Sequence, residues 1–400
     1  MNTIDGYTFA EPVKLSDDDL TALYESNGLF ARVIDTPAEE ATRRPPVLRS
    51  SQDRAAVQLF SEGLDALEWD TQALTAVRWA RLFGGSIAVI LIDDGGRLED
   101  PLKPERIRSI DAMRVYPRSQ VQTDFSQDGK PERFHVSSMY GSFTVHESRC
   151  LTFHNETAPE LSASTAFRFW GIPEYYRIGE AVQRAALASE QTVKLLDISA
   201  QAIYRARGLA DRLTTEDGEA QVLRRVAILD AARSVLSMIA IDAENEDFSF
   251  IAADFLGKGE AVEIALLYLA AVAHIPPEIL YGYRSPHWWR NSSPAAQENY
   301  YNHVSGIQHR MLKANAERLA AVILRAGSAA GELRPIPPPV IDFPPLWLES
   351  ASEKATAALS RATTQLTRAK TIQTYMEAGA VGRQDVRPLL KRLRESERNT

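Results

Sequence analysis

The sequence holds 400 residues, 44% apolar and 24% charged, with 45 Lys+Arg against 53 Asp+Glu for a net charge of -8. That length permits a sizeable core and two or three domains, while the acidic balance argues against a protein that grips nucleic acid, because duplex binding runs on cationic contacts to phosphate; it leaves open one that must let nucleic acid pass. The single cysteine, Cys150, excludes an intrachain disulfide and a cysteine-based zinc site, and points to a cytosolic compartment.

The opening "MNTIDGYTFAEPVKLSDDDL" has no basic start and no apolar run, so it does not read as a signal peptide. Ser16 ahead of "DDDLTALYESNGLFARVIDTPAEEATRRPP" predicts a helix with acidic residues in its first turn, then further helix ending before Pro45-Pro46. Between 53 and 82 the apolar positions Val57, Phe60, Leu64, Leu67, Leu74, Val77 and Leu82 keep roughly helical spacing, as one or two helices. "GGSIAVILIDDGG" predicts a buried strand between turn signals. From 107 to 153 short alternating or aromatic segments, separated by "SQDGKP" and "MYGS", predict an antiparallel β region.

The helical period returns at 173–207, which has no internal proline after Pro173 and one glycine, Gly179. About 30 helical residues would run about 45–50 Å, with Ile178, Val182, Ala186, Val193, Leu196 and Ile203 as one stripe and Gly208 as the stop. Residues 209–254 hold a charged helix, "TTEDGEAQVLRRVAILDAAR", and two strand-like pieces, "SVLSMIAID" and "DFSFIAAD". A second long helix over 258–273 contains the most apolar stretch, "IALLYLAAVA", too short to span a bilayer; it stops at Ile275-Pro276-Pro277. A third long helix spans 295–326, followed by the extended connector "RPIPPPVIDFPPLW" and two C-terminal helices around "AGAVG" with basic residues at the end. The class is α+β, mostly α. Two long helices flanking a small insertion make a stalk with a head at its tip. Such a shape buries little alone and makes sense if neighbouring copies supply the missing walls.

Among chemical motifs, "FLGKGEA" lacks the spacing of a phosphate-binding loop, and "FGGS" and "DDGG" read first as turn chemistry. His303 and His309 are six apart, on different helix faces, and His135, His146 and His154 have no ligand-like spacing. No "GxSxG" elbow occurs. No catalytic residue, metal ligand or cofactor site is expected. Glu180, Glu190 and Asp197 are either the solvated face of the first long helix or the negative wall of a passage that keeps a polyanion from sticking. The segment "HIPPEILYGYRSPHWWRNSSPAAQENYYNHV" carries Trp288-Trp289, either as a core plug or, with Arg284, His287, Arg290 and Asn291 around them, as a tip that touches bases, sugars or phosphates transiently.

Three stretches, "WGIPEYYRIGEAVQRAALASEQTVKLL", "DFLGKGEAVEIALLYLAAVAHIPPEILYGYRSP" and "AQENYYNHVSGIQHRMLKANAERLAAVI", resemble the portal proteins of tailed bacteriophages, in the branch formerly a domain of unknown function and labelled anti-CBASS-protein-like N-terminal. "ARVIDTPAEEATRRPP", "ARLFGGSIAVILIDDG" and the C-terminal "FPPLWLESASEKATAALSRATTQLTRAKTIQTYMEAGAVGRQDVRPLL" fit as well, so the resemblance covers nearly the whole chain. One departure is "HWWRNSSPAAQEN", bulkier than the glycine- and asparagine-rich stretch usual in relatives.

The resemblance implies a ring-shaped, typically dodecameric channel for double-stranded DNA at a capsid vertex of the virion, assembled in the host cytoplasm. It divides the chain into a wing (1–172), a first stem helix (173–207), a clip (208–256), a second stem helix (257–275), a tunnel loop (276–294), a long wing helix with its proline-rich connector (295–347) and a helical crown (348–400). Implied channel residues are Arg284, Ser285, His287, Trp288, Trp289, Arg290 and Asn291 in the tunnel loop and Glu180, Glu190, Lys194 and Asp197 along the stem. Arg224, Arg225, Asp230 and Arg233 would form the clip's partner surface. Implied partners are other copies, DNA passing non-specifically, the terminase large subunit, a head–tail adaptor and a major capsid or scaffold protein, with no membrane. Rival readings are a phosphodiesterase of an anti-immune type, whose two His-x-Thr motifs the chain lacks, and a cytosolic helical scaffold.

Overall fold

A computed structural model of the chain describes residues 2–4, 7–9, 15–49, 54–139, 141–157, 167–198, 200–207, 209, 214, 216–236, 246–252, 258–282, 294–329, 338–347 and scattered positions from 359 to 374. The chain divides into two units, Met1–Pro344 and Pro345–Thr400.

The first unit opens with the antiparallel pair β1 (Asn2–Ile4) and β2 (Tyr7–Phe9). Helix α1 (Asp17–Ser26) begins in a full capping box: the Asp19 amide donates to Ser16 Oγ at 3.1 Å, and the Ser16 amide donates to the Asp19 carboxylate at 3.0 Å. Asn27 ends it and caps α2 (Gly28–Thr42), its side-chain oxygen accepting from the amides of Leu29 and Phe30 at 3.1 and 3.0 Å. After β3 (Val47–Leu48), the stretch 53–82 resolves into two helices, α3 (Arg54–Ala66) and α4 (Trp69–Phe83), parted at Glu68 with φ 51°.

These helices position a sheet. The predicted buried strand is β4 (Gly85–Asp93), central in the antiparallel order β5-β4-β9, between β5 (Ser109–Pro117) and β9 (Cys150–His154). Its apolar run is covered on both faces, which is why it reads as a continuous β-branched stretch rather than an alternation. Phe30, Val33 and Ile34 of α2 and Ala73, Ala76, Val77 and Ala80 of α4 are buried with it. A second sheet, in the order β6 (Val121–Phe125), β7 (Pro131–Ser138), β8 (Gly141–His146), completes the expected β region. Phe134, Val136 and Val145 pack with Ile87, Val89, Cys150 and Trp170 in one cluster.

"DDGG" is turn chemistry, as expected: Asp93 accepts from the Gly95 amide at 3.0 Å, Asp94 from Gly96 at 2.9 Å, and Gly95 has φ 71°. Arg149 Nη2 also donates to both oxygens of the Asp94 carboxylate, at 2.7 and 2.8 Å, with both side chains removed from solvent. Arg149 spends its other donors on the carbonyls of Asp100 and Ile92, so the buried charges are paired and hydrogen-bonded.

The chain continues through α5 (Phe167–Trp170), α6 (Tyr175–Ile198), β10 (Ala200–Ala206), α7 (Glu216–Leu236), β11 (Glu246–Ala252), α8 (Lys258–Val272), α9 (Pro277–Tyr281), α10 (Pro294–Ile307), a π turn (Gln308–Leu312), α11 (Lys313–Ala329) and β12 (Ile341–Asp342), which pairs with β3. The architecture is mostly helical with small sheets, as expected. Three local expectations are corrected. The helix read over 173–207 stops at Ile198, and 200–206 is a strand paired with β11 in the register Tyr204↔Phe248 and Ala202↔Phe250; pairing with a segment some 45 residues away overrides a helix-compatible composition. The stretch "SVLSMIAID" starts helical, because α7 runs on to Leu236; its residues 237–242 lie outside those described. The third long helix is interrupted by the π turn, where Gln308 Nε2 donates to the Ala41 carbonyl at 2.9 Å and Asn315 Nδ2 to Thr152 and Met311 carbonyls at 2.8 Å.

In the second unit, Thr363, Thr364, Thr367, Thr371 and Thr374 stand on helical turns, each hydroxyl donating to a carbonyl four residues back. The rest of the expected C-terminal helical cap lies outside the described residues.

Candidate functional site

The two long helices either side of the insertion are rooted in the first unit by a buried polar joint. Pro37 inside α2 has no N–H, so the Val33 carbonyl loses its helical donor. Arg81, 4% exposed, replaces it: Nη2 donates to Val33 O at 3.2 Å and Nε to Ile34 O at 3.3 Å. Its Nη1 lies 3.6 Å from the Glu174 carboxylate at the start of α6. Asn155 Nδ2 donates to the same carboxylate at 3.2 Å and to the Ile172 carbonyl at 2.8 Å. Burial works to raise the Glu174 carboxyl, but the Arg81 charge and the Asn155 hydrogen bond outweigh it and hold the group below its ordinary value. The close approach of two backbones here requires glycine. Gly84 has φ 91°, and a Cβ on it would stand 2.4 Å from the Gly171 carbonyl oxygen.

From this joint α6 leaves the core. Ile178, Ala181, Val182 and Ala185 are buried, and no described residue of α6 beyond Ala185 is. Helix α8 returns to the same core through Leu269 and Ala270, with Ala273 just past its end. The two helices pack together, with the Arg184 guanidinium 5.6 Å above the Tyr268 ring. The pair is buried at one end and open at the other, a stalk in its geometry, and β10 pairs with β11 in the insertion between them. The stalk leaves large apolar side chains uncovered: Leu187 is 56% exposed, Val193 59% and Ile264 56%. On α7, Leu223, Val226 and Ile228 are exposed too, at positions that do not share one helix face.

The predicted stem-lining residues Glu180, Glu190 and Lys194 lie on the exposed face of α6. Glu180 pairs with Arg184 and Glu190 with Lys194 at 2.6 Å, each one turn on. The Lys194 hydrogen bond and charge hold the Glu190 carboxyl below its ordinary value. This face is therefore a ladder of self-compensating pairs, less negative than its carboxylates alone suggest. Asp197 is on α6 and Asp230 and Arg233 are on α7, with side chains outside the described residues; Arg224 is exposed and Arg225 partly buried on α7. The predicted loop residues Arg284, Ser285, His287, Trp288, Trp289, Arg290 and Asn291 all lie outside the described residues.

The two ends of that loop are described. Gly282, φ 75°, caps α9, and Arg32 donates to the Leu280 and Ile279 carbonyls at 2.6 and 3.2 Å. A cleft of about 370 Å³ between α8 and α10 is lined by His274, Asn299, Tyr300 and His303. His274, at φ 56°, stacks on His303 with ring centroids 5.4 Å apart. Burial, then the Arg81 and His274 charges, lowers the His303 imidazole from its ordinary value. Sequence spacing missed this pair, because the two rings lie 29 positions apart with a loop between them. Three other histidines are held locally: His135 bridges Asp124 and Thr144, His146 bonds Ser148, and His154 packs on Phe169 and Trp170. Among the described residues no three or more His, Cys, Asp or Glu side chains are grouped so as to hold a metal ion, and no helix is long and apolar enough to cross a membrane.

Known proteins place this architecture. A sequence of Sphingomonas paeninsulae named Anti-CBASS protein Acb1 is 26% identical over 361 residues, covering 85% of this chain and 55% of that protein. A Caulobacter protein of the same name is 25% identical over 85% of this chain and 56% of its own length. The chain thus spans about half the length of these curated relatives. A chain in the neck of an empty gene transfer agent particle, computed with C6 symmetry, matches with a TM-score of 0.51 at 13% identity, over 91% of this chain and 90% of that one. One in the native neck, computed with C12 symmetry, matches at 0.50 and 12% with the same coverage. The family described as phage portal protein matches residues 18–366, from the first helix to the C-terminal unit, and this chain belongs to it.

Proposed function

We propose that copies of this chain assemble, through the uncovered faces of α6, α7 and α8, into a ring whose central channel passes double-stranded DNA at a capsid vertex. The observation that carries the reading is the stalk of a portal-family chain with Leu187, Val193 and Ile264 each more than half exposed. An aliphatic side chain half uncovered forgoes about 1 kcal/mol of burial free energy, and the apolar positions on several sides of α7 call for more than one cover. A ring supplies a neighbour on each side.

The charge balance supports a passage that does not hold its cargo. The α6 ladder offers no run of unpaired cations for phosphate, and the whole chain is acidic. Arg284 and Arg290 would meet the backbone transiently from the loop 276–294, the channel's narrowest ring. Residues 208–256 would form the clip that docks the terminase large subunit and later a head–tail adaptor, through Arg224, Arg225, Asp230 and Arg233. The wing, including 1–172, would face the capsid or scaffold protein, and 348–400 would form a crown. The ring is dodecameric in the virion. It acts as a conduit rather than a catalyst, and energy for packaging comes from the terminase. Negative-stain images of the purified full-length protein test this: annular particles with a central hole support it, and solitary compact particles in every buffer contradict it.

A further inference from the structure

A second uncovered surface lies far along the chain from the stalk helices. Between α3, the start of α4 and the strand β3 runs a groove of about 680 Å³, within the range of clefts that hold a ligand. Its floor is apolar, made by Phe60, Leu64 and Trp69, each at most 4% exposed, and Val47 stands 44% exposed at its edge. Three carboxylates, Asp65, Glu68 and Asp70, line it against one cation, Arg44. All three are exposed, and none has an ion-pair partner among the described residues. Burial, then the Asp65 charge, raises the Asp70 carboxyl above its ordinary value. An apolar floor with unpaired acids along it is complementary to a segment that interleaves aliphatic and cationic side chains.

This chain contains such a segment. "RPLLKRLR" at 387–394 carries Arg387, Lys391, Arg392 and Arg394 among Leu389, Leu390 and Leu393. At helical spacing the three leucines would share one face. We propose that the groove takes residues 387–394 of a second copy, with the leucines on the Phe60–Leu64–Trp69 floor and the cations against Asp65, Glu68 and Asp70. The inference goes beyond the ring reading and does not depend on it, because neither the groove nor the segment belongs to the stalk.

The test uses two full-length variants of different tag mass, Ser61→Cys in the groove lining and Arg392→Cys in the segment. They are mixed and treated with a short bis-maleimide linker. The native Cys150 stays silent, since it is fully buried and burial pushes its thiol up. The expected result is a mixed-mass cross-linked dimer whose yield falls about tenfold when Asp65 and Glu68 become Lys, and returns when Lys391 and Arg394 in the partner variant become Glu. Thermal melts of each variant confirm folding, and the restored pair guards against a merely damaged groove. No mixed dimer, or one indifferent to charge reversal, overturns the proposal. A link that forms only when both cysteines sit in one chain overturns the assignment to a second copy. Particle mass is read in parallel, so an absent link with intact rings removes this inference alone.

Discussion

The root of the stalk and its outer half obey different rules within the same helix. Around Tyr175–Ala185, one face of α6 is buried in the core: Tyr175 meets Phe30 edge-on at 6.0 Å, and Glu174, Arg81 and Asn155 satisfy one another. Past Ala186 the same helix carries Leu187 and Val193 into solvent. The first part is finished by one chain, and the second is not. On the ring reading, the difference marks where folding ends and assembly would begin. At the root the buried Glu174 carboxylate is met by Arg81 and Asn155 from other elements, while farther out Glu190 pairs with Lys194 on its own helix.

The contrast breaks most sharply in the finished part. Arg149→Leu leaves Asp94 buried and unpaired, and should cost about 3–5 kcal/mol of unfolding free energy in denaturant titration of the full chain. Phe30→Ala, which empties a fully buried site against Tyr175, should cost about 3–5 kcal/mol and shift the root of α6 with it. The Asp94 pair also sets a pH response. Burial would raise this carboxyl, but the Arg149 hydrogen bond and the amides of Lys103 and Gly96 bring it down to about 2, from 3.8 when free. Its contribution is therefore complete above about pH 4 and lost as pH falls towards 2, so acid unfolding should lose its steepest component in that window when Asp94 is replaced by Asn.

Smaller effects sharpen the boundary. Ser16→Ala removes one side of the capping box and should cost about 1 kcal/mol, read as a lowered melting temperature with unchanged assembly. Leu187→Asp or Ile264→Asp should change the stability of the separate chain by less than about 0.5 kcal/mol, because both positions are already more than half in water. Their effect should instead fall on association.

Much of the finished part was legible. Ser16 marks a helix start, the glycines at 84 and 95 mark turns, and the β-branched run at 87–92 is the covered central strand, because local chemistry and tertiary context agree there. The strand at 200–206 was not legible, since its partner lies beyond α7 and its composition suits a helix. Arg81 as a substitute donor for Val33 was hidden as well. Pro37 announces a missing N–H, but nothing in the spacing says that a side chain 44 positions later fills the gap. The carboxylates of α6 were visible, whereas their pairing with Arg184 and Lys194 was not, and it changes what they would do to a polyanion in the proposed channel. Periodicity also could not separate stalk from core, because an apolar stripe looks the same whether its cover comes from the same chain or from a neighbour.

Particle mass measured in solution on the wild-type chain, beside the Leu187→Asp/Ile264→Asp variant, tests the central claim most directly. Copies that complete one another predict a species of several hundred kilodaltons for the wild type, built from 44.4 kDa chains, and its collapse in the variant to single chains that stay folded but melt below the assembled wild type, since the stabilisation by neighbours is gone. A wild-type chain that stays single, or a variant that assembles as the wild type does, would contradict it.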